Sequence, residues 1–179
     1  NINDLYSGEK VELVLDTPTA LTNGVPKRVD NDSTDVVPYL DENERTLVPL
    51  RFISESFGAD VEWVADTQKI NGDAVTMKIG SNDYTVNNET KTMDTAPILN
   101  NDRTMVPLRA IGEALGKIVY YNDKYICISD IDLNMSDDFA MSRKSTITSA
   151  KVPDKIEVVA INGTGQKYYP NQLDVFAVE

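Results

Sequence analysis

Histidine is absent from the 179 residues, and cysteine occurs once, as Cys127. The first absence excludes imidazole metal sites, Ser-His-Asp and Cys-His catalysis, and the commonest general base near neutral pH. The second excludes a thiolate zinc site and any disulfide within the chain. Basic residues are in deficit, 17 against 29 acids, for a net charge of −12. Such a surface repels phosphate backbones and anionic membrane faces, so nucleic acid is a poor partner. No stretch approaches the roughly 18 apolar residues that insertion across a bilayer needs. The chain opens at Asn1 in polar sequence, without a starting Met or a basic-apolar leader, which leads us to expect a mature or excised fragment.

What is present describes a folded globule: 41% hydrophobic and 26% charged residues, in a length suited to one domain or two small ones sharing a core. An internal repeat organises it. The fourteen residues Arg45-Thr-Leu-Val-Pro-Leu-Arg-Phe-Ile-Ser-Glu-Ser-Phe-Gly58 return 58 positions later as Arg103-Thr-Met-Val-Pro-Leu-Arg-Ala-Ile-Gly-Glu-Ala-Leu-Gly116, nine of them identical. Upstream, Asn23-Gly24 through Val29-Asp30 resembles Asn87-Asn88 through Met93-Asp94. The first copy carries six extra residues between Asp30 and Arg45, around the turn-forming Asn31-Asp32-Ser33-Thr34-Asp35.

Val11–Leu15 and Val75–Ile79 are predicted as strands, and the Asn-Gly and Asn-Asn pairs as hairpin turns. Pro49 and Pro107 suit a first helical position, where the missing N–H costs nothing. Leu50, Ile53 and Phe57, repeated as Leu108, Ile111 and Leu115, give each short helix one apolar stripe, and Gly58 and Gly116 end it. Val61 and Trp63, then Val119 and Tyr121, alternate as a half-buried strand would. The fold expected is α+β: two tandem β-β-β-helix-β units, about 11–70 and 71–130, with the helices packed on antiparallel sheet. Beyond them we expect a β-rich C-terminal extension over 131–179, or the start of a further module. In it Asp132–Asp154 reads as a polar connection, and Ile156–Ile161 and Leu173–Val178 read as strands.

The doubled Arg-Thr-x-Val-Pro-Leu-Arg-x-Ile-x-Glu-x-x-Gly string, with Val61-Glu62-Trp63 and Ile79-Gly80-Ser81, resembles the copper amine oxidase N-terminal domain family over roughly residues 37–130. In the second copy Tyr121 stands where the first has Trp63. The resemblance implies an appended, non-catalytic module, of a kind found on secreted or surface proteins of Gram-positive bacteria beside hydrolase or wall-attachment domains. The oxidase's copper and quinone belong to a separate catalytic domain, and this chain has no histidine to ligate copper.

Arg51 and Arg109 stand out among the charges. In the first turn of a helix a cation opposes the macrodipole by about 0.3–1 kcal/mol, while the i,i+4 partners Glu55 and Glu113 return only about 0.2–0.5 kcal/mol. Each guanidinium is therefore expected to tie loop carbonyls or a carboxylate, or to anchor a partner. Arg45/Thr46 and Arg103/Thr104 are expected to close hairpins. Trp63 and Tyr121 are expected in the core over their helices; the alternative is that these two, with Tyr120 and Tyr125, form an exposed platform for sugar rings. Tyr168-Tyr169-Pro170 is a weaker contact surface. Asp30, Asp32 and Asp41 hold the first, third and twelfth places of a possible calcium loop, but Asp35 stands where the turn glycine belongs.

No catalytic string is present. Ser54 and Ser56 lack a base, and paired acids such as Asp137-Asp138 or Glu42 and Glu44 carry no sign of a raised-pKa acid in a cleft. Cys127 reads as a buried small apolar residue. The expectation is a non-catalytic extracellular spacer or interaction module, binding neighbouring domains of its parent protein or cell-wall glycan. The alternatives are a carbohydrate-binding module and a calcium-stabilised structural module.

Overall fold

A computed structural model describes residues 8–152. Five strands come first: β1 Lys10–Val14, β2 Thr19–Thr22, β3 Val25–Arg28, β4 Tyr39–Leu40 and β5 Thr46–Pro49. Helix α1 (Leu50–Ser56) and the hairpin β6 Val61–Val64, β7 Thr67–Ile70 follow. The same order returns as β8 Val75–Lys78, β9 Asp83–Val86, β10 Glu89–Thr92, β11 Ile98–Asn100, β12 Arg103–Pro107, α2 Leu108–Ala114, β13 Ile118–Asn122 and β14 Tyr125–Ser129. Helix α3, Asp137–Ser149, closes the described chain. The fold is α+β, but around each motif helix there are five strands before and two after, where the local pattern showed three and one. The polar connection expected over 132–154 is corrected, since it carries a helix, and the strands expected at 156–161 and 173–178 lie outside the described residues.

Strand pairing crosses the midpoint of the chain. The first sheet runs β13-β14-β1-β2-β3, the second β10-β9-β8-β7-β6, and the third β11-β12-β5-β4. The first two therefore each take three strands from one half and a closing hairpin from the other. In the third, Val48 faces Val106, its own counterpart 58 residues on, flanked by Leu47 against Pro107 and Pro49 against Met105. The two motif strands thus meet about a local two-fold axis. Around it one core gathers Val11, Leu13, Val48, Leu50, Ile53, Met77, Val106, Ile111 and Ile128, residues of both halves and all three sheets.

The motif ends as its chemistry requires. Pro49 and Pro107 sit one position ahead of the expected place, as helix N-caps that finish their strands. Gly58 and Gly116 take positive φ of 77° and 69°, and the amides of Ala59 and Lys117 bond back to the carbonyls of Ser54 and Gly112, at 2.9 and 2.8 Å. This is the left-handed helix stop that glycine makes without strain.

Gly112 has a different reason. A Cβ there would fall 2.5 Å from Val119 Cγ2, so α2 approaches β13 more closely than a side chain allows. Ser54 holds the matching place in α1. Gly112→Ser, which copies the first motif onto the second, is expected to cost about 1–3 kcal/mol by overpacking, read as a fall in the urea midpoint. An unchanged midpoint would show that the contact relaxes freely.

The outer faces of the first two sheets differ. On the second sheet Thr76, Thr85 and Lys78 face outward, with Thr76 and Thr85 hydrogen-bonded across the strands. On the first, Val14, Leu21, Tyr125 and Cys127 form an apolar face, which α3 covers with Ala140 and Ile147. Among them lies Glu12, fully buried, whose two oxygens accept from Nε and Nη2 of Arg143 at 2.8 Å each and whose Oε1 accepts from the Tyr125 hydroxyl at 2.8 Å. Ser136 caps α3 by accepting from the Phe139 amide, and Asp137 and Asp138 in the first turn suit the positive end of its dipole.

Cys127 is enclosed by this arrangement. Burial first, and then the Glu12 carboxylate, push its thiol up to about 12, so almost none of it is the reactive thiolate at pH 8. Native chain is expected to react with a disulfide reagent at least a thousandfold more slowly than denatured chain. Reaction at the free-thiol rate would mean that α3 does not cover it.

Candidate groove beside the second motif

The residues singled out by the repeat divide between structural links and a groove. Arg103 Nε and Nη2 reach Asp30 Oδ2 and Oδ1 at 2.5 and 3.3 Å, and Arg45 reaches Asp94 at 3.4 Å. Each motif arginine thus holds the aspartate of the other half, because β5 and β12 pair antiparallel and carry the arginines across. Burial alone would raise Asp30, but Arg103 and the Asp32 and Ser33 amides outweigh it and hold the carboxyl below its usual value. Of the three carboxylates proposed for calcium, Asp30 is held by Arg103 and its own turn, Asp41 Oδ1 accepts from the amides of Asn43 and Arg45, and Asp32 is exposed, 3.9 Å from Arg103. Among the described residues no group of three or more acids or cysteines is placed to hold a metal, and the donor set of a chain without histidine does not fit copper.

Arg51 donates to Glu55 at 2.8 Å along its own helix, both side chains about half exposed. A surface pair of this kind contributes at most about 1 kcal/mol. The equivalent pair in α2 is not made: Arg109 is exposed with no ion pair among the described residues, and Glu113 lies close enough to Tyr84 to raise the phenol beyond what burial already does. Trp63 and Tyr121 are corrected from core to surface, at 43% and 41% exposure. Their faces are those of Val61 and Val119, as the alternation required, but β6 and β13 are outermost strands and no described residue covers their far ends.

Around the second motif these features enclose a groove of about 800 Å³. Its walls are α2, with Arg109 and Glu113; β13, with Val119, Tyr120 and Tyr121; Leu40 of β4; the Arg45–Asp94 pair; and Tyr84 of β9. Four residues marked in the sequence, Arg45, Arg109, Glu113 and Tyr121, therefore share one site, while Arg51, Glu55, Trp63 and Arg103 lie outside it. Leu40, Tyr84 and Tyr120 were not assigned to it by the motif. Tyr84 is distinctive, since the matching place in β2 holds Ala20, and that difference between the copies is the one signal in the sequence that pointed here. Tyr120 donates to Asp137 at 3.1 Å, and Asn122 to the same oxygen at 2.9 Å, fixing β13 to the start of α3. Both shifted groups in the groove, Tyr84 and Tyr120, are phenols pushed upward by burial first. The arrangement offers an exposed aromatic face at Tyr121, the exposed cation of Arg109 and the carboxylate and hydroxyl groups of Glu113 and Tyr120.

Known proteins place the chain. It is 31% identical over 126 residues to a protein of Brevibacillus choshinensis named "Protease inhibitor", a match covering 68% of this chain and 37% of that protein. The chain thus spans little more than a third of that relative. No solved structure matches significantly. No helix of the described residues is long and apolar enough to cross a membrane. The profile of the copper amine oxidase N-terminal domain matches residues 5–70 and again 28–129, both motifs included, and the chain belongs to that family of non-catalytic domains.

Proposed function

We propose that the chain is two interlocked copies of one unit acting as a non-catalytic interaction module of an extracellular or cell-surface bacterial protein. In this reading the groove beside α2 holds a neighbouring domain or a partner protein. The observation that carries it is the groove itself, which joins the exposed Tyr121 and Leu40 to the exposed Arg109 on one wall. The name of the Brevibacillus relative supports it, since a protease inhibitor acts by contacting another protein. Spacer and docking roles follow from the same feature, because a module appended to a larger chain meets neighbours through its uncovered surface.

A second reading, carbohydrate binding, is favoured by the exposure of Trp63 and Tyr121. One experiment separates the two. Amide chemical shifts of the chain are mapped by NMR against a secreted bacterial serine protease with its active site blocked, and against soluble cell-wall oligosaccharides. Perturbations that cluster on α2 and β13 with the protease support the module reading. A cluster at the aromatics with oligosaccharide alone transfers the function to glycan. Perturbation by either that avoids the groove contradicts both.

A further inference from the structure

We infer that the groove takes an extended segment of a partner polypeptide by strand addition to the free edge of β13, a step that rests on the interaction-module reading and specifies its chemistry. Three outermost strands meet at the cavity: β13 ends the first sheet, β10 leads into the second sheet's side of the wall at Asp94, and β4 ends the third. Along β13 the cavity touches Val119, Tyr120 and Tyr121 in succession. Consecutive side chains of a strand leave on opposite faces. Here Val119 packs on the main core, while Tyr120 turns the other way, to Tyr125 and Asp137. A cavity in touch with both faces lies along the rim of the strand. At that rim every second residue presents an N–H and a C=O that no strand among the described residues pairs, the arrangement that a peptide in extended conformation completes.

The same surroundings define the occupant. β13 is five residues long, about 17 Å at strand rise, so it pairs with a segment of about that length. Side chains of an added strand alternate between faces as those of β13 do. On the side of Tyr121 and Leu40, both exposed and apolar over most of their surface, an apolar side chain removes area from water. On the same wall Arg109 makes no ion pair among the described residues, whereas its counterpart Arg51 is held by Glu55 at 2.8 Å. A carboxylate on the segment completes a fork-to-carboxylate contact there. A sugar can stack on the tyrosines, but it does not match a row of main-chain groups at strand spacing. The matching edge, β6, lacks this combination, since Arg51 is paired and Ala20 replaces Tyr84.

The test pans a phage-displayed random decapeptide library against the intact chain and follows amide hydrogen exchange, by NMR, with the selected peptides bound. Strand addition predicts at least tenfold slower exchange at alternate residues of Ile118–Asn122, and selected sequences that carry an Asp or Glu near an apolar residue. Peptides that bind the groove, shown by loss of binding in Arg109→Ala/Tyr121→Ala, yet leave exchange along β13 unchanged overturn strand addition while the module reading stands. Peptides unaffected by that double substitution overturn both. Selection of no peptide, with cell-wall oligosaccharide bound at the groove, also overturns both.

Discussion

Arg143→Ala is expected to destabilise the chain by roughly 3–5 kcal/mol, because it leaves the Glu12 carboxylate buried with its principal cation removed. Glu12 has no exposed surface, and the Arg143 side chain is 14% exposed, so solvent screens little of the loss. Against a typical total of about 5–15 kcal/mol this is a large fraction, and at about 1–3 kcal/mol per molar urea the midpoint falls by one molar or more. The neighbouring Lys144→Ala, which breaks an exposed pair with Asp123 at 3.4 Å, sets the scale for a surface charge at about 0–1 kcal/mol. Joint replacement, Glu12→Met with Arg143→Met, is expected to recover much of the stability, since neither member of the pair is left buried without the other. Equal midpoints for Arg143→Ala and Lys144→Ala would show that the buried pair does not hold α3 in place.

Ending the chain after Asp130 has the second large effect. Among the described residues it removes the cover of the first sheet's outer face, Leu133, Ala140 and Ile147, together with partly buried Met135, Phe139 and Met141. Full burial of a large apolar side chain is worth about 1.5–3 kcal/mol, so the loss compares with the stability of a domain. The exposed face would carry Val14, Leu21, Tyr125 and Cys127 beside an unpaired Glu12. The shortened chain is expected to be aggregated or unfolded, with amide resonances of narrow dispersion. A monomeric shortened chain that melts cooperatively near the temperature of the full one would make α3 dispensable.

The sequence announced the parts that local chemistry determines. The doubled motif located both short helices, their apolar stripes, and their glycine stops at Gly58 and Gly116. The Asn-Gly and Asn-Asn pairs located the hairpins β2–β3 and β8's neighbour pair β9–β10. Pairing between halves was hidden, because β14 meets β1 across more than a hundred residues, and nothing in either strand names its partner. Helix α3 was hidden for another reason. Its inward face runs Ala140, Arg143, Ile147, so a charged residue interrupts the stripe that signals an amphipathic helix, and only Glu12 on a distant strand explains that charge. Ser136 followed by two aspartates was the legible sign of its start.

The groove was half legible for the same reasons. Repetition singled out Arg45, Arg109, Glu113 and Tyr121, but a motif that recurs cannot say which copy diverged in use. That distinction came from unlike neighbours: Tyr84 against Ala20, and an unpaired Arg109 against a paired Arg51. Alternation placed Trp63 and Tyr121 on the core side correctly, yet burial depends on what lies above the end of an outermost strand, which only the assembled sheets determine.

The most direct test of binding at the second motif is calorimetric titration of the library-selected peptides into three forms of the chain. These are the wild type, Arg109→Ala/Tyr121→Ala in the groove, and the matching pair Arg51→Ala/Trp63→Ala in the first motif. Binding at the groove predicts affinity reduced at least tenfold in the first double variant and within about twofold of wild type in the second. The reverse order, or equal loss in both, would contradict it.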